Sequence, residues 1–201
     1  VKYIGKRAFR NCTNIDNILI PDSVTAIGDS AFVYCTSIDN VVIPNSVTTI
    51  GENIFGHCSS LKNITIPDSI TDISYGTFSD CTNLENIAIP DGVTNIGEYA
   101  FYGCENLKNI NIPNGVKSIK ESTFNGCKSL INITIPEKVT NIGDYAFTDC
   151  ESLVSLVIPN SVKKIGYRAF GNCSALETIT IPNSVTSILE SAFDGCKNLT
   201  I

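Results

Sequence analysis

The chain contains no methionine and no tryptophan, only one histidine, and 17% charged residues. No run of about 18 apolar residues occurs, so we predict no segment that inserts into a membrane. The sequence also lacks a Cys-x-x-Cys pair, a glycine-rich phosphate loop and an EF-hand pattern. These absences remove the usual sequence indications of redox, nucleotide and calcium sites.

Basic residues are scarce over much of the chain. Between Asp16 and Glu105 twelve acidic residues oppose the single Lys62, which leaves a net charge of −11. Such a surface repels a phosphate backbone, so we predict no nucleic-acid partner. Residues 1–10 are the exception, with four basic residues and no acidic one.

The chain does contain one 23-residue pattern that recurs from end to end. All nine phenylalanines fall in one column of the aligned repeats, all nine cysteines in a second and all eight prolines in a third. About nine repeats fill residues 1–201, which predicts a single domain truncated within a repeat at both ends. Because 23 residues cannot enclose a core, each unit must bury its faces against the next.

The unit from Pro21 to Ile43 predicts a strand, a turn and a short helical segment. Val41 and Ile43 alternate about residue 42, as in a strand that buries these two side chains and exposes residues 40 and 42. Proline followed by short polar residues predicts one chain reversal per repeat. A glycine, an acidic residue and an Ala-Phe pair favour a short α- or 3₁₀-helix over roughly Asp29 to Cys35. The glycine suits either a positive φ or a close approach of two backbones.

Stacked in parallel, these units predict an α/β repeat solenoid with a parallel sheet on one face and short helices or 3₁₀ turns on the other. The pattern resembles the BspA-like, treponemal type of leucine-rich repeat. In one unit the resemblance rests on Leu84, Ile87, Ile89, Pro90, Val93, Ile96, Gly97, Ala100, Phe101 and Cys104. The resemblance covers the whole chain and implies a leucine-rich-repeat horseshoe from a surface or secreted protein. It also implies adhesion to proteins of a host or of another microbe.

A catalytic site finds little support. His57, the only histidine, precedes Cys58, and a Cys-His pair is one arrangement of nucleophile and base. Cys58 nevertheless belongs to the column of nine equivalent cysteines, and adjacent residues on a helical turn point apart. We predict no enzyme activity, no cofactor and no metal, and retain an enzyme accessory role as the less favoured alternative. For the cysteine column we predict a row of buried free thiols, with disulfides or a metal as the alternatives.

The predicted binding site is the outward side of the strands, where side chains are free to vary. Its residues are Asn40, Val42, Asn63, Thr65, Asn86, Asn109, Asn111, Asn132, Ile131, Val154 and Val157. The last three place apolar side chains among polar neighbours, as in a partner site. The asparagines other than Asn111 share one column, and identical residues in register suit a structural ladder of side-chain hydrogen bonds better than specific recognition.

We therefore expect a non-catalytic, adhesion-type binding module located at the cell surface or outside the cell. Its expected partner is an extracellular host or microbial protein or glycoprotein. A passive spacer that holds another domain away from the surface is the alternative. The uncapped ends predict either further repeats or end-to-end self-association.

Overall fold

The computed structural model describes residues 1–200, which contain seventeen short strands and no helix. In chain order the strands are β1 (Tyr3–Ile4), β2 (Asn17–Leu19), β3 (Ala26–Ile27), β4 (Asn40–Val42), β5 (Thr49–Ile50), β6 (Asn63–Thr65), β7 (Asp72–Ile73), β8 (Asn86–Ile87), β9 (Asn95–Ile96), β10 (Asn109–Asn111), β11 (Ser118–Ile119), β12 (Asn132–Thr134), β13 (Asn141–Ile142), β14 (Ser155–Val157), β15 (Lys164–Ile165), β16 (Thr178–Thr180) and β17 (Ser187–Ile188).

The strands form two rows. The even-numbered strands, here the long-strand row, form hydrogen-bonded groups of three, three and two strands. The odd-numbered strands, here the short-strand row, form groups of three, two and four. Every pair is parallel and joins equivalent positions of neighbouring repeats, as Asn109 with Asn132 and Ile119 with Ile142. A given column of the repeat therefore becomes a line of side chains along the molecule.

One continuous hydrophobic core runs through the stacked repeats. Val41 and Ile43 are each 2% exposed, whereas Asn40 and Val42 face solvent, so the predicted alternation of the strand is confirmed. The nine phenylalanine rings stack in one line, with neighbouring centroids 5.3–6.0 Å apart and ring planes within 20° of parallel. This line joins every repeat to the next through buried aromatic contact.

The prediction of an α/β fold with short helices or 3₁₀ turns is wrong. The segment from Asp29 to Cys35 and its equivalents, here called the turn wall, consists of separate tight turns. Every second amide closes a turn with the carbonyl three residues earlier, as Val33 does with Ser30 at 3.3 Å. The amides in between donate sideways to the next repeat, as Phe32 does to the carbonyl of Ile54 at 2.9 Å. Because these amides donate to the next repeat and not to a carbonyl of their own repeat, the hydrogen bonds of a continuous helix cannot form. They instead add a third row of backbone hydrogen bonds between neighbouring repeats.

Two residues per repeat in the turn wall have a left-handed backbone. Ser30 (φ 54°) and Tyr34 (φ 62°) represent two columns in which all nine members have positive φ. One column reads Asn11, Tyr34, His57, Asp80, Gly103, Gly126, Asp149, Asn172 and Gly195. Asparagine, aspartate and glycine tolerate this conformation best, and they fill seven of the nine positions.

The glycine that precedes the turn wall in six of the nine repeats has a different role, since Ser74, Lys120 and Leu189 occupy this position in the other three. A Cβ atom on Gly97 would lie 2.6 Å from the amide nitrogen of Tyr75 and 2.7 Å from the carbonyl carbon of Ser74. The glycine at this position has an ordinary negative φ, so of the two predicted roles the close backbone approach is the correct one. Neighbouring repeats thus touch backbone to backbone where the short-strand row meets the turn wall.

Candidate functional site

A shallow depression lies on the outer face of the long-strand row, centred on β10. Its volume is about 500 Å³. It is lined by Asn86, Ile87, Ala88, Asn109, Ile110, Asn111, Asn132, Ile133 and Thr134. Four residues of the predicted site, all asparagines, are thereby brought together around one uncharged hollow, whose lining also includes isoleucine and alanine side chains. Ala88 and Thr134 are additional lining residues, and they belong to the same column as Asn111.

A second depression of about 330 Å³ continues this surface between β12 and β14. Val157, which is 72% exposed, lines it together with Pro159 and Glu137. Ile131 (44% exposed) and Val154 (39% exposed) stand at equivalent positions of the two repeats, just before these strands. The predicted apolar residues are therefore exposed beside β12 and β14, in the C-terminal half of the long-strand row.

The remaining predicted residues lie on β4 and β6, outside both depressions. Asn40, Val42, Asn63 and Thr65 are all exposed there. The side-chain Nδ2 of Asn63 donates to the side-chain Oδ1 of Asn40 at 3.0 Å. Within residues 1–200, no other two asparagines of this column are joined by a side-chain hydrogen bond. A continuous structural ladder is thus absent from the described part of the chain, and most of these amides are available to a partner.

A charged border runs beside the asparagine column. The Lys108 ammonium donates to the Glu85 carboxylate at 2.7 Å, across two neighbouring repeats. This hydrogen bond lowers the pKa of Glu85 from its ordinary value. Further along the same column the border becomes apolar at Ile131 and Val154. The border is therefore apolar in these two repeats and charged again at Glu177 in the next one.

His57 and Cys58 do not form a catalytic pair. The Cys58 thiol is fully buried and donates to the carbonyl of Phe32 at 3.2 Å, and burial raises its pKa to about 12. The His57 ring instead stacks on Tyr34 with a centroid distance of 4.3 Å, and its Nδ1 lies 3.3 Å from an Asp80 oxygen. The nucleophile and the base thus face different surroundings, and a neutral buried thiol is a poor nucleophile.

The cysteine column as a whole serves the stacking of repeats. All nine cysteines are free thiols. Eight of them, Cys35 through Cys196, donate to the phenylalanine carbonyl 26 residues earlier, at 3.0–3.3 Å. No cluster of three or more His, Cys, Asp or Glu side chains in residues 1–200 is arranged to hold a metal ion. Each thiol therefore connects one repeat to the repeat before it.

The chain belongs to the BspA type leucine-rich repeat family. The family pattern matches six copies over residues 1–106 and 71–200, and so confirms the resemblance inferred from the repeat columns. Among curated protein sequences, none matches the chain significantly.

Solved structures of related proteins have the same architecture. A leucine-rich cell surface protein from Faecalibacterium prausnitzii is 32% identical, with 100% of this chain and 68% of that chain aligned and a TM-score of 0.55. The T. pallidum leucine-rich repeat protein is 28% identical, with 94% and 75% aligned and a TM-score of 0.61. The pneumococcal vaccine antigen PcpA, at 19% identity, 96% and 64% aligned and a TM-score of 0.59, is similar in fold alone. In residues 1–200 no helix is long and apolar enough to cross a membrane.

Proposed function

We propose that this chain is a non-catalytic, protein-binding repeat module of a surface or secreted protein, which uses the outer face of the long-strand row. The observation that carries the proposal is the depression around β10, where Asn86, Asn109 and Asn132 face solvent with few side-chain partners. Amide side chains both donate and accept hydrogen bonds, so this surface suits the backbone and polar side chains of a protein partner.

The apolar part of the same face, beside β12 and β14, supplies the anchor that such an interface needs. Protein interfaces concentrate their binding energy in a few desolvated side chains surrounded by polar contacts. Ile131, Val154 and Val157 are exposed next to the second depression, and the asparagine-lined hollow adjoins them. We expect the partner to cover both depressions at once.

Membership of the family and the cell surface relative support a location at the surface or outside the cell. At that location the partner would be an extracellular host or microbial protein or glycoprotein, and the module would act in adhesion.

The test is a binding assay with a panel of purified extracellular-matrix proteins and glycoproteins, each immobilised separately. The front variant carries Asn86→Lys, Asn109→Lys and Asn132→Lys. The matched control carries Asn114→Lys, Asn160→Lys and Asn183→Lys, which add the same charge at exposed asparagines that follow prolines. We expect at least a tenfold loss of affinity for the front variant and less than a twofold change for the control.

Equal losses in both variants would show that charge alone matters and would reject the assignment to this face. No binding by the unmodified chain to any member of the panel would favour the passive spacer. Far-UV circular dichroism and thermal melting of both variants establish that the fold is intact.

A further inference from the structure

The turn wall of the first three repeats contains a small groove with an unusual charge. Its volume is about 190 Å³. Its lining consists of Arg7, Arg10, Ser30, Val33, Tyr34, Asn53 and His57. Two guanidinium groups thus border one cavity in the half of the molecule that is otherwise strongly acidic. The buried Val33 forms an apolar floor between them and the stacked rings of Tyr34 and His57.

The repeat itself supplies a comparison for these arginines. Arg168 occupies the same column as Arg7, seven repeats further on. Its guanidinium lies 3.2 Å from the Asp194 carboxylate and 5.9 Å from the centre of the Tyr167 ring. The position that corresponds to Asp194 in the first repeats is occupied by Val33. Arg7 therefore lacks the carboxylate that neutralises Arg168.

The other charged groups near the groove already have partners. Lys6 donates to Asp29 at 3.1 Å, and this hydrogen bond is the main cause of the lowered pKa of Asp29. Asp80 faces the His57 ring at 3.3 Å. Within residues 1–200, neither Arg7 nor Arg10 has a carboxylate within ion-pair distance. Because arginine binds carboxylates through a planar fork of N–H donors, this pair has the capacity for one more anion.

We propose that this groove binds the carboxylate of an acidic sugar residue. The two arginines would hold the carboxylate, and Ser30 and Asn53 would offer polar groups to the sugar hydroxyls. Tyr34 is 40% exposed, so the part of its ring outside the stack with His57 can contact the apolar face of a sugar. An acidic peptide would satisfy the arginines equally well but would make less use of the small cavity and the aromatic wall. The groove lies on the turn wall, so the proposal is independent of protein binding by the long-strand row.

The proposal is tested by titrating the full 201-residue chain with 3′-sialyllactose and with a hyaluronan tetrasaccharide, while protein-ligand contacts are followed by saturation-transfer NMR. Lactose, sodium acetate and a tetraglutamate peptide are the comparison ligands. The groove variant is Arg7→Gln with Arg10→Gln. The matched control is Lys163→Gln with Lys164→Gln, which removes the same charge from two exposed positions elsewhere.

We expect at least one acidic oligosaccharide to bind, and its affinity to fall at least tenfold in the groove variant and less than twofold in the control. Lactose and acetate should bind at least tenfold more weakly, because lactose lacks the carboxylate and acetate lacks the sugar ring. Equal binding of tetraglutamate or lactose, equal losses in both variants, or no binding of either acidic oligosaccharide would overturn the proposal. Tyr34→Leu should weaken binding of the oligosaccharide while leaving the melting temperature within a few degrees.

Discussion

The long-strand row and the turn wall are built from the same 23-residue repeat but place different demands on the sequence. In the long-strand row, successive side chains point alternately to the core and to solvent. Asn109 and Asn111 are therefore exposed, and Ile110 between them is buried. In the turn wall the backbone itself must alternate between closing a turn and bonding to the next repeat. That alternation requires two left-handed residues per repeat, and it places a buried phenylalanine between them.

This difference separates the residues that hold the solenoid together from those available for binding. Substitutions on the inner side of the turn wall should be costly, whereas substitutions on the outer face of the long-strand row should alter recognition with little effect on folding.

Alkaline pH should unfold the chain under reducing conditions. Seven cysteines are buried, and burial raises the pKa of Cys58 from 9.0 to about 12. A raised folded-state pKa means that the stabilisation is complete below pH 9 and is lost as the pH rises toward 12, because only the unfolded chain releases the proton. Each such thiol costs about 1.4 kcal/mol per pH unit in this range. Urea denaturation between pH 8 and 11 measures the effect.

The control for this prediction is Cys104→Ala, which removes one fully buried thiol. Its free energy of unfolding should depend less steeply on pH, by about 1.4 kcal/mol per pH unit. An unchanged slope would mean that the buried thiols do not govern the alkaline transition. Asn109→Ala, on the long-strand face, should leave the slope as it is.

Phe101→Ala should destabilise the fold by about 3–5 kcal/mol because it leaves a cavity in the middle of the aromatic line. Phe101 is fully buried, whereas Phe193 is only half-buried, so Phe193→Ala should cost less. Asn109→Ala should change the stability by no more than about 0.5 kcal/mol. Chemical denaturation of the three variants ranks them, and equal losses at both phenylalanines would contradict the stacking of nearest neighbours.

Gly97→Ala should cost about 1–3 kcal/mol, since the new methyl group would press against the backbone of the preceding repeat. Gly92 belongs to the same repeat, but an added Cβ there would make only an ordinary van der Waals contact, with the carbonyl oxygen of Asp68 at 3.8 Å. Gly92→Ala should therefore stay within about 0.5 kcal/mol of the unmodified chain. Thermal melting of the two variants distinguishes a steric clash at position 97 from an effect common to any glycine-to-alanine substitution. Equal losses in both variants would contradict the close backbone approach.

Gly126→Ala should cost about 1 kcal/mol because the residue has a φ of 77°, which alanine adopts reluctantly. The added methyl group itself has room, with its nearest neighbour at 3.4 Å. Gly126→Asn should cost less than Gly126→Ala, since asparagine tolerates the left-handed region. The reverse order in melting experiments would show that space, and not backbone conformation, limits this column.

The sequence was sufficient to predict the repeat, the family and the buried columns, because these follow from periodicity and from the need of each unit to pack on its neighbours. Helices in the turn wall were predicted wrongly, since Phe32 and Cys35 at a spacing of three fit one face of a helix. Whether the amide of Phe32 closes a turn or reaches Ile54 of the next repeat is decided by tertiary contact. The column through Tyr34 and Asp80, rich in Asn, Asp and Gly, was the signal against a helix.

The candidate site was predictable in part. Alternation along β10 identifies Asn109 and Asn111 as exposed, and the structure places both at the hollow. The position of that hollow depends on how several strands stack. It therefore cannot be predicted from the sequence of any single repeat. Arg7 illustrates the same limit. The structure shows that Arg168 pairs with Asp194, and only this contact reveals that Arg7, in the equivalent position, has no corresponding carboxylate.

The most direct test of the division between the two surfaces is photo-crosslinking to a protein captured in the binding assay. p-Benzoylphenylalanine is placed at position 109 on the long-strand face or at position 102, an exposed tyrosine of the turn wall in the same repeat. We expect that position 109 crosslinks to the bound protein and that position 102 does not. Crosslinking from position 102 alone would contradict it.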